Sequence, residues 1–187
     1  MLIIGFGHKA RQGKNVCTQA IEDYYAAHND LYLRYRHGGG IVHVQTIGFA
    51  DALKELATKK YGMKEKDPIL LQRLGEEKRA EDSDYWIKKA VERISSLTDV
   101  VLIPDTRYKN EAYAIRKYGG YVVNVIRMQP DGTRFIADDR PSNHASETEL
   151  DGFPFDFTLV NHDGHEALLG EQAVTLAEYL RGLHHGT

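Results

Sequence analysis

Residues 2–15 read Leu2-Ile3-Ile4-Gly5-Phe6-Gly7-His8-Lys9-Ala10-Arg11-Gln12-Gly13-Lys14-Asn15, and the fold turns on how the pattern changes within them. A continuous apolar run closed by glycine predicts a strand buried on both faces. The loop that follows carries glycine and basic residues. From Lys14 onward, Val16, Cys17, Ala20, Ile21, Tyr24 and Tyr25 recur at helical spacing to about Ala27. Strand, glycine-bearing loop and helix in that order form the repeating unit of open α/β sheets.

The same alternation continues downstream. Ile41 to Ile47 is rich in β-branched residues and reads as a second strand, whereas His28 to Gly40, with LYLRYR and three glycines, fits either an edge strand or a helical turn. A helix is expected through FADALKELATKKYG to Gly62, another after Asp67-Pro68, and a third opened by Ser83 or Asp84 and running past Trp86. Asp99–Pro104, Tyr121–Ile126 and Phe155–Val160 read as strands, Glu111–Tyr118 and Gly164–Arg181 as helices. These elements predict one α/β domain over residues 1–187, with a mostly parallel five-stranded sheet. Residues 28–40, 62–82 and 128–150 are the expected mobile pieces.

Composition narrows the class. The 187 residues carry 24 Lys plus Arg against 27 Asp plus Glu, a net charge of -3, which argues against a nucleic-acid polymer or a polybasic membrane contact. No apolar run approaches the ~18 residues of a membrane span. The apolar stretch at the start precedes the charges, the reverse of a signal peptide, so a cytoplasmic location is expected. The single cysteine, Cys17, lies on the apolar stripe of the first helix and reads as core. The nine histidines show no zinc-ligand spacing.

The first loop carries the chemistry. A phosphate-binding loop runs Gly, four residues, Gly, Lys, then Ser or Thr. Gly13-Lys14 fits; His8 stands at the first glycine position and Asn15 at the hydroxyl position. Backbone N–H groups of such a loop, with the first turn of the helix, can wrap a triphosphate. Lys14 would reach its outer phosphates, and Asn15 would offer a neutral oxygen to magnesium. The plain alternative is a Gly-Lys helix start with no ligand. Pro104-Asp105-Thr106-Arg107 follows the third strand, and ligands of open α/β sheets bind outside the C-terminal ends of the strands. Asp105 there suits magnesium and Arg107 a phosphate, or the two form a surface pair.

Taken together, these stretches resemble the P-loop deoxynucleoside monophosphate kinases of bacteriophages and, more distantly, other nucleoside monophosphate kinases and animal phosphomevalonate kinase. KARQGKN is similar to that family's KxRSGKD, and Gly48–Lys54 to its Phe-Ala-Asp-x-Leu-Lys stretch. Leu70–Arg79, Asp84-Tyr85-Trp86, Asp105-Thr106-Arg107 with Asn110-Glu111, Asn143–Glu147 and Asn161–Gly164 resemble further family segments in the same order.

The resemblance implies a three-layer P-loop kinase fold, with an acceptor-binding segment over 48–82 and a lid-like segment over 128–150. It implies transfer of a phosphoryl group from ATP, with Mg2+, to a nucleoside monophosphate. Lys9, Ala10, Arg11, Gln12, Gly13, Lys14, Asn15 and Val16, with Asn161 and Gly164, would hold ATP. Asp105 and Asn15 would serve magnesium. Asp51, Lys54, Arg79, Trp86, Arg107 and His144 would face the acceptor. Lys14, Asp105 and Arg107, with Arg127 and Arg140 beside or in the lid and Arg134 near them, would act on the transferred group. A viral origin, which would make the compartment a host cytoplasm, and a homodimer are compatible with it. The competing readings are a small-metabolite kinase of the phosphomevalonate sort and a nucleotide-binding module without activity.

Overall fold

The computed structural model describes residues 1–29, 41–65, 67–138 and 143–185. The expectation for 30–40 and the lid arginine Arg140 lie outside the described residues. Among the described residues the elements follow in the order β1 (Leu2–Gly7), α1 (Lys14–His28), β2 (Val44–Thr46), α2 (Asp51–Tyr61), α3 (Pro68–Glu81), α4 (Tyr85–Val91), β3 (Val100–Ile103), α5 (Lys109–Lys117), β4 (Tyr121–Met128), α6 (Ala145–Thr148), β5 (Phe157–His162) and α7 (Glu166–His185). The strands form one all-parallel sheet in the order β2-β3-β1-β4-β5.

The apolar run in residues 2–7 becomes the central strand because both its faces are covered. Leu2, Ile4 and Phe6 point into a core shared with Cys17, Ile21 and Tyr25 of α1 and Leu169, Ala173, Ala177 and Leu180 of α7. Ile3 points to the opposite face, against Ile87 and Ala90 of α4 and Ala112 and Ile115 of α5. Helices therefore cover both sides of the sheet, giving three layers. Burial of each such aliphatic side chain contributes about 1.5–3 kcal/mol. Gly5 sits where α5 comes closest: a Cβ there would collide with Ile115 and lie 2.9 Å from Thr106 Oγ1.

The second strand is shorter than its apolar alternation predicts. Only Val44–Thr46 is strand, although the pairing with β3 runs on: the His43 carbonyl accepts from the N–H groups of Asp99 and Val100, and the Ile47 N–H donates to the Leu102 carbonyl at 2.9 Å. Residues 62–82, an expected mobile piece, contain the 14-residue α3, whose first turn is capped by Asp67 accepting from the Leu70 N–H at 3.0 Å with Pro68 at its start. A third, smaller core joins α2, α3 and α4 through Leu53, Ala57, Leu74 and Trp86. This helical group stands beside the β2 and β3 edge of the sheet. Among the described residues, no helix is long and apolar enough to cross a membrane.

Candidate phosphate loop and ligand cavity

Successive connections leave β1 toward β2 and later return to β4 on its other side, so the strand order reverses around β1. At such a switch point the loops beyond the strands' C-terminal ends separate and leave a crevice. The turn after β1 (7–13) and the turn after β3 (104–108) meet there.

The turn after β1 is braced from within. Gln12, expected to touch a nucleotide, is fully buried instead: its Nε2 donates to the carbonyls of Ala10 and Phe135, both at 3.1 Å, and its Oε1 accepts from the Arg127 N–H at 2.7 Å. Its side chain ties the loop to the end of β4. Asn161, also assigned to ATP, is buried behind the loop and donates to the Gln12 carbonyl at 3.3 Å. Gly13 has φ 105°, and a Cβ on it would lie 2.6 Å from Leu169 Cδ2 and 2.9 Å from Asn161 Nδ2. Only glycine fits both the conformation and the space. Lys14 is buried, and its ammonium donates to the Lys9 carbonyl, folded back over the loop. His8, which stands in place of a glycine, does not narrow the crevice. It is buried, its ring stacked on Phe155 at 6.0 Å, and burial followed by the Lys9 charge lowers its pKa to about 4, so it is neutral.

Beside the loop lies a cavity of about 430 Å³, within the ~300–1,000 Å³ usual for small-molecule sites. Its lining combines apolar side chains, from Phe49, Ala50 and Leu53 at the start of α2 and Pro68 and Leu71 of α3, with Arg11, Arg79, Arg107, Asp105 and Glu111 and with Tyr108, Gln72, His144 and Ser146. Arg79 lies 4.0 Å above the Tyr108 ring and 3.7 Å from Glu111 Oε1. Glu111 is buried; its Oε2 accepts from the N–H groups of Arg107 and Tyr108 at 2.8 and 3.1 Å. Burial is the largest influence on this carboxyl and raises its pKa to about 7. Asp105 is half-buried. Its oxygens accept from the Phe49 and Ala50 N–H groups at 2.8 and 3.0 Å, which holds the start of α2 to the end of β3, and burial pushes its pKa up.

The loop and the cavity are joined by residues 144–151. Glu147 Oε2 accepts from the Ala10 N–H at 2.8 Å, and Glu147 Oε1 accepts from Arg107. Lys9 Nζ donates to the Glu147 carbonyl at 2.6 Å and to Asp151 Oδ1 at 2.8 Å. His144 caps α6, its Nδ1 accepting from the Ser146 N–H at 3.2 Å, while its Nε2 faces Glu76 Oε1 of α3 at 3.2 Å.

Arg79, Arg107 and His144, which the resemblance assigns to the acceptor, line one cavity, together with Asp105, expected on magnesium, and Arg11, expected on ATP. Others fall elsewhere. Trp86 does not line the cavity: its ring is buried with Leu53 and Leu74, and its indole N–H donates to the Gly75 carbonyl at 3.2 Å. Its expected acceptor contact is replaced by a packing role, because an apolar ring beside α3 gains more from burial than from exposure. Asp51 accepts from the Gly48 N–H at 2.7 Å and pairs with Lys54 at 3.0 Å, closing the turn into α2. Val16 packs against the core and, with exposed Asn15, borders a groove between α1 and α7. Arg127 pairs with Asp163 and lies 4.3 Å above the Phe135 ring, on the side of β4 away from Arg79. Gly164 turns β5 into α7 with φ 81°. Arg134 lies near His8 and Asp151, and its buried Nε and Nη2 have no hydrogen-bond partner among the described residues. Among the described residues no group of three or more His, Cys, Asp or Glu is arranged to hold a metal ion.

Glu111, Tyr108 and Glu147 are among the site residues to which the sequence reading assigned no role. Glu111 and Glu147 sit inside stretches singled out for their resemblance. Burial, the property that makes a glutamate informative, is not legible one residue at a time. No protein-family model matches the sequence.

Proposed function

We propose that the protein is a P-loop kinase that transfers the γ-phosphoryl group of ATP to a (deoxy)nucleoside monophosphate. The observation that carries this reading is a cavity lined by both apolar side chains and arginines, opening next to a Gly-Lys loop at the strand-order reversal. Apolar lining by Phe49, Leu53 and Leu71 suits a base, and Arg79 and Arg107 suit the phosphate attached to it. A small-metabolite kinase would call for a slot basic throughout, which this cavity is not.

The acceptor phosphate is already an oxyanion, so no residue has to remove a proton. The chain's work is positioning and charge neutralisation. Gly13 and the first turn of α1 direct N–H groups at the donor phosphates. Lys14 exchanges its bond to the Lys9 carbonyl for a phosphate oxygen. Arg107 grips the acceptor phosphate through its planar fork, and Arg79, held between Tyr108 and Glu111, meets it from α3. A second groove of about 560 Å³, bordered by Met128, Pro130, His162 and Leu168, supports the base end of ATP. Magnesium would keep most of its bonds to phosphate and water, so Asp105, with lone pairs beyond the two it uses, would be the chain's contribution from the cavity, whereas Asn15 borders the groove between α1 and α7; the ion would neutralise charge on the transferred group.

The test is a screen of ribo- and deoxyribonucleoside monophosphates for ATP-dependent conversion to diphosphates. Conversion of one or a few is expected. A folded protein that binds ATP yet converts none would overturn the kinase reading in favour of a nucleotide-binding module.

A further inference from the structure

Glu147 is a buried carboxylate whose two oxygens serve different places. Oε2 accepts from the backbone N–H of Ala10 in the loop after β1, at 2.8 Å, and Oε1 accepts from the guanidinium of Arg107 in the cavity. Its side chain is only 6% exposed. The carbonyl of the same residue accepts from Lys9 Nζ at 2.6 Å and faces His8 Nε2 at 3.1 Å. Burying an ionised carboxylate is costly unless it is paired and hydrogen-bonded. Were residues 144–151 merely to be fastened down, an apolar side chain would do so without that cost. The carboxylate instead forms a short, stiff bridge: any shift of the Ala10 amide moves the group that orients Arg107.

We propose that Glu147 is a positioning residue that couples the donor and acceptor sites, so that a nucleotide on the loop sets Arg107 for the acceptor phosphate. The proposal rests on the kinase reading above. It assigns to one carboxylate, bonded both to the loop and to a cavity arginine, the energetic communication between the two binding sites. Such coupling is reciprocal: the acceptor must tighten the donor by the same factor.

The experiment measures calorimetric affinities of the intact protein for the β,γ-imido analogue of ATP with magnesium. It then measures dAMP, dCMP, dGMP and dTMP singly, with and without the analogue. In the unaltered protein the best-bound monophosphate gains about fivefold or more in affinity when the analogue is present. Glu147→Gln has one amide oxygen for two donors, so it can serve Ala10 or Arg107 but not both. In that variant the ratio falls to within about twofold of unity, while each ligand alone still binds within about fivefold of the original affinity. Glu147→Asp, a carboxylate too short to span both partners, gives the same result and serves if the glutamine variant fails to fold. Arg107→Lys breaks the bridge at its other end, and combining it with Glu147→Gln reduces the ratio no further.

A folded Glu147→Gln or Glu147→Asp protein that keeps the ratio overturns the proposal, as does a ratio of one in the unaltered protein. If the unaltered protein fails to bind the analogue at all, the kinase reading itself falls, a result separable from the other two because it appears before any substitution is made.

Discussion

The loop after β1 and the cavity beside it share Glu147, yet they are built from different materials. The loop presents backbone: its Gln12 and His8 are buried braces, Asn161 of β5 is buried behind it, and Lys14 at the start of α1 is folded back on the Lys9 carbonyl. The cavity presents side chains, carried partly on α2 and α3, which pack in a small core of their own. A backbone site depends on a unique conformation, so it tolerates almost no change at a few positions. A side-chain site depends on reach and charge, so single changes there are graded.

The largest effect expected from this contrast is at Gly13. Gly13→Ala must hold a side chain at φ 105° and within 2.6 Å of Leu169 Cδ2. A loss of roughly 2–4 kcal/mol of stability and of ATP binding should follow, read by thermal unfolding and calorimetry. Unaltered stability would mean that the loop is not the rigid region.

Lys14→Ala comes next. It should leave the fold intact by circular dichroism while lowering phosphoryl transfer on the order of 10²-fold or more, the scale for removing one preorganised charge-stabilising donor. Near-normal turnover would break the assignment of the loop to the donor. Arg107→Lys keeps charge and loses the fork. It should raise the acceptor KM about tenfold while ATP affinity in the absence of acceptor changes little. The reverse pattern would exchange the two regions.

The smallest effect is in pH dependence, where the two regions should oppose each other. His8, on the loop side, has its pKa lowered from 6.5 to about 4 by burial. The unfolded chain then binds more protons across that interval, so this contribution is complete above pH 6.5 and is lost as pH falls toward 4. Glu111, on the cavity side, has its pKa raised from 4.5 to about 7 by burial. The folded state then binds more protons, so stability falls as pH rises from 4.5 to 7. Each slope is at most ~1.4 kcal/mol per pH unit, and the two cancel in large part between pH 4.5 and 6.5. Glu111→Gln removes only the falling component. Its melting temperature should therefore climb with pH across that window more steeply than that of the unaltered protein. Parallel curves would show that Glu111 is not titrating there.

Much of this organisation is legible in local pattern. Gly13-Lys14 marks the start of α1, Gly62 ends α2 in a left-handed conformation, and Asp67-Pro68 opens α3, each a property of neighbouring residues. The convergence of Arg79, Arg107 and His144 could be guessed only because their stretches resemble a family. Trp86 shows where local reading stops: nothing next to it in sequence says whether an aromatic ring faces a cavity or a core.

Hydrophobic period and glycine conformation act over a few residues, so the alternation of strands and helices, the burial of 2–7 and the Gly-Lys loop are legible along the chain. Which glutamates are buried, that Gln12 and Asn161 face inward, and that Glu147 lies between Ala10 and Arg107 emerge only on packing. Those outcomes join residues up to 149 positions apart. Distance of that kind is settled by how the layers pack, since a carboxylate has no partner until the chain has folded around it.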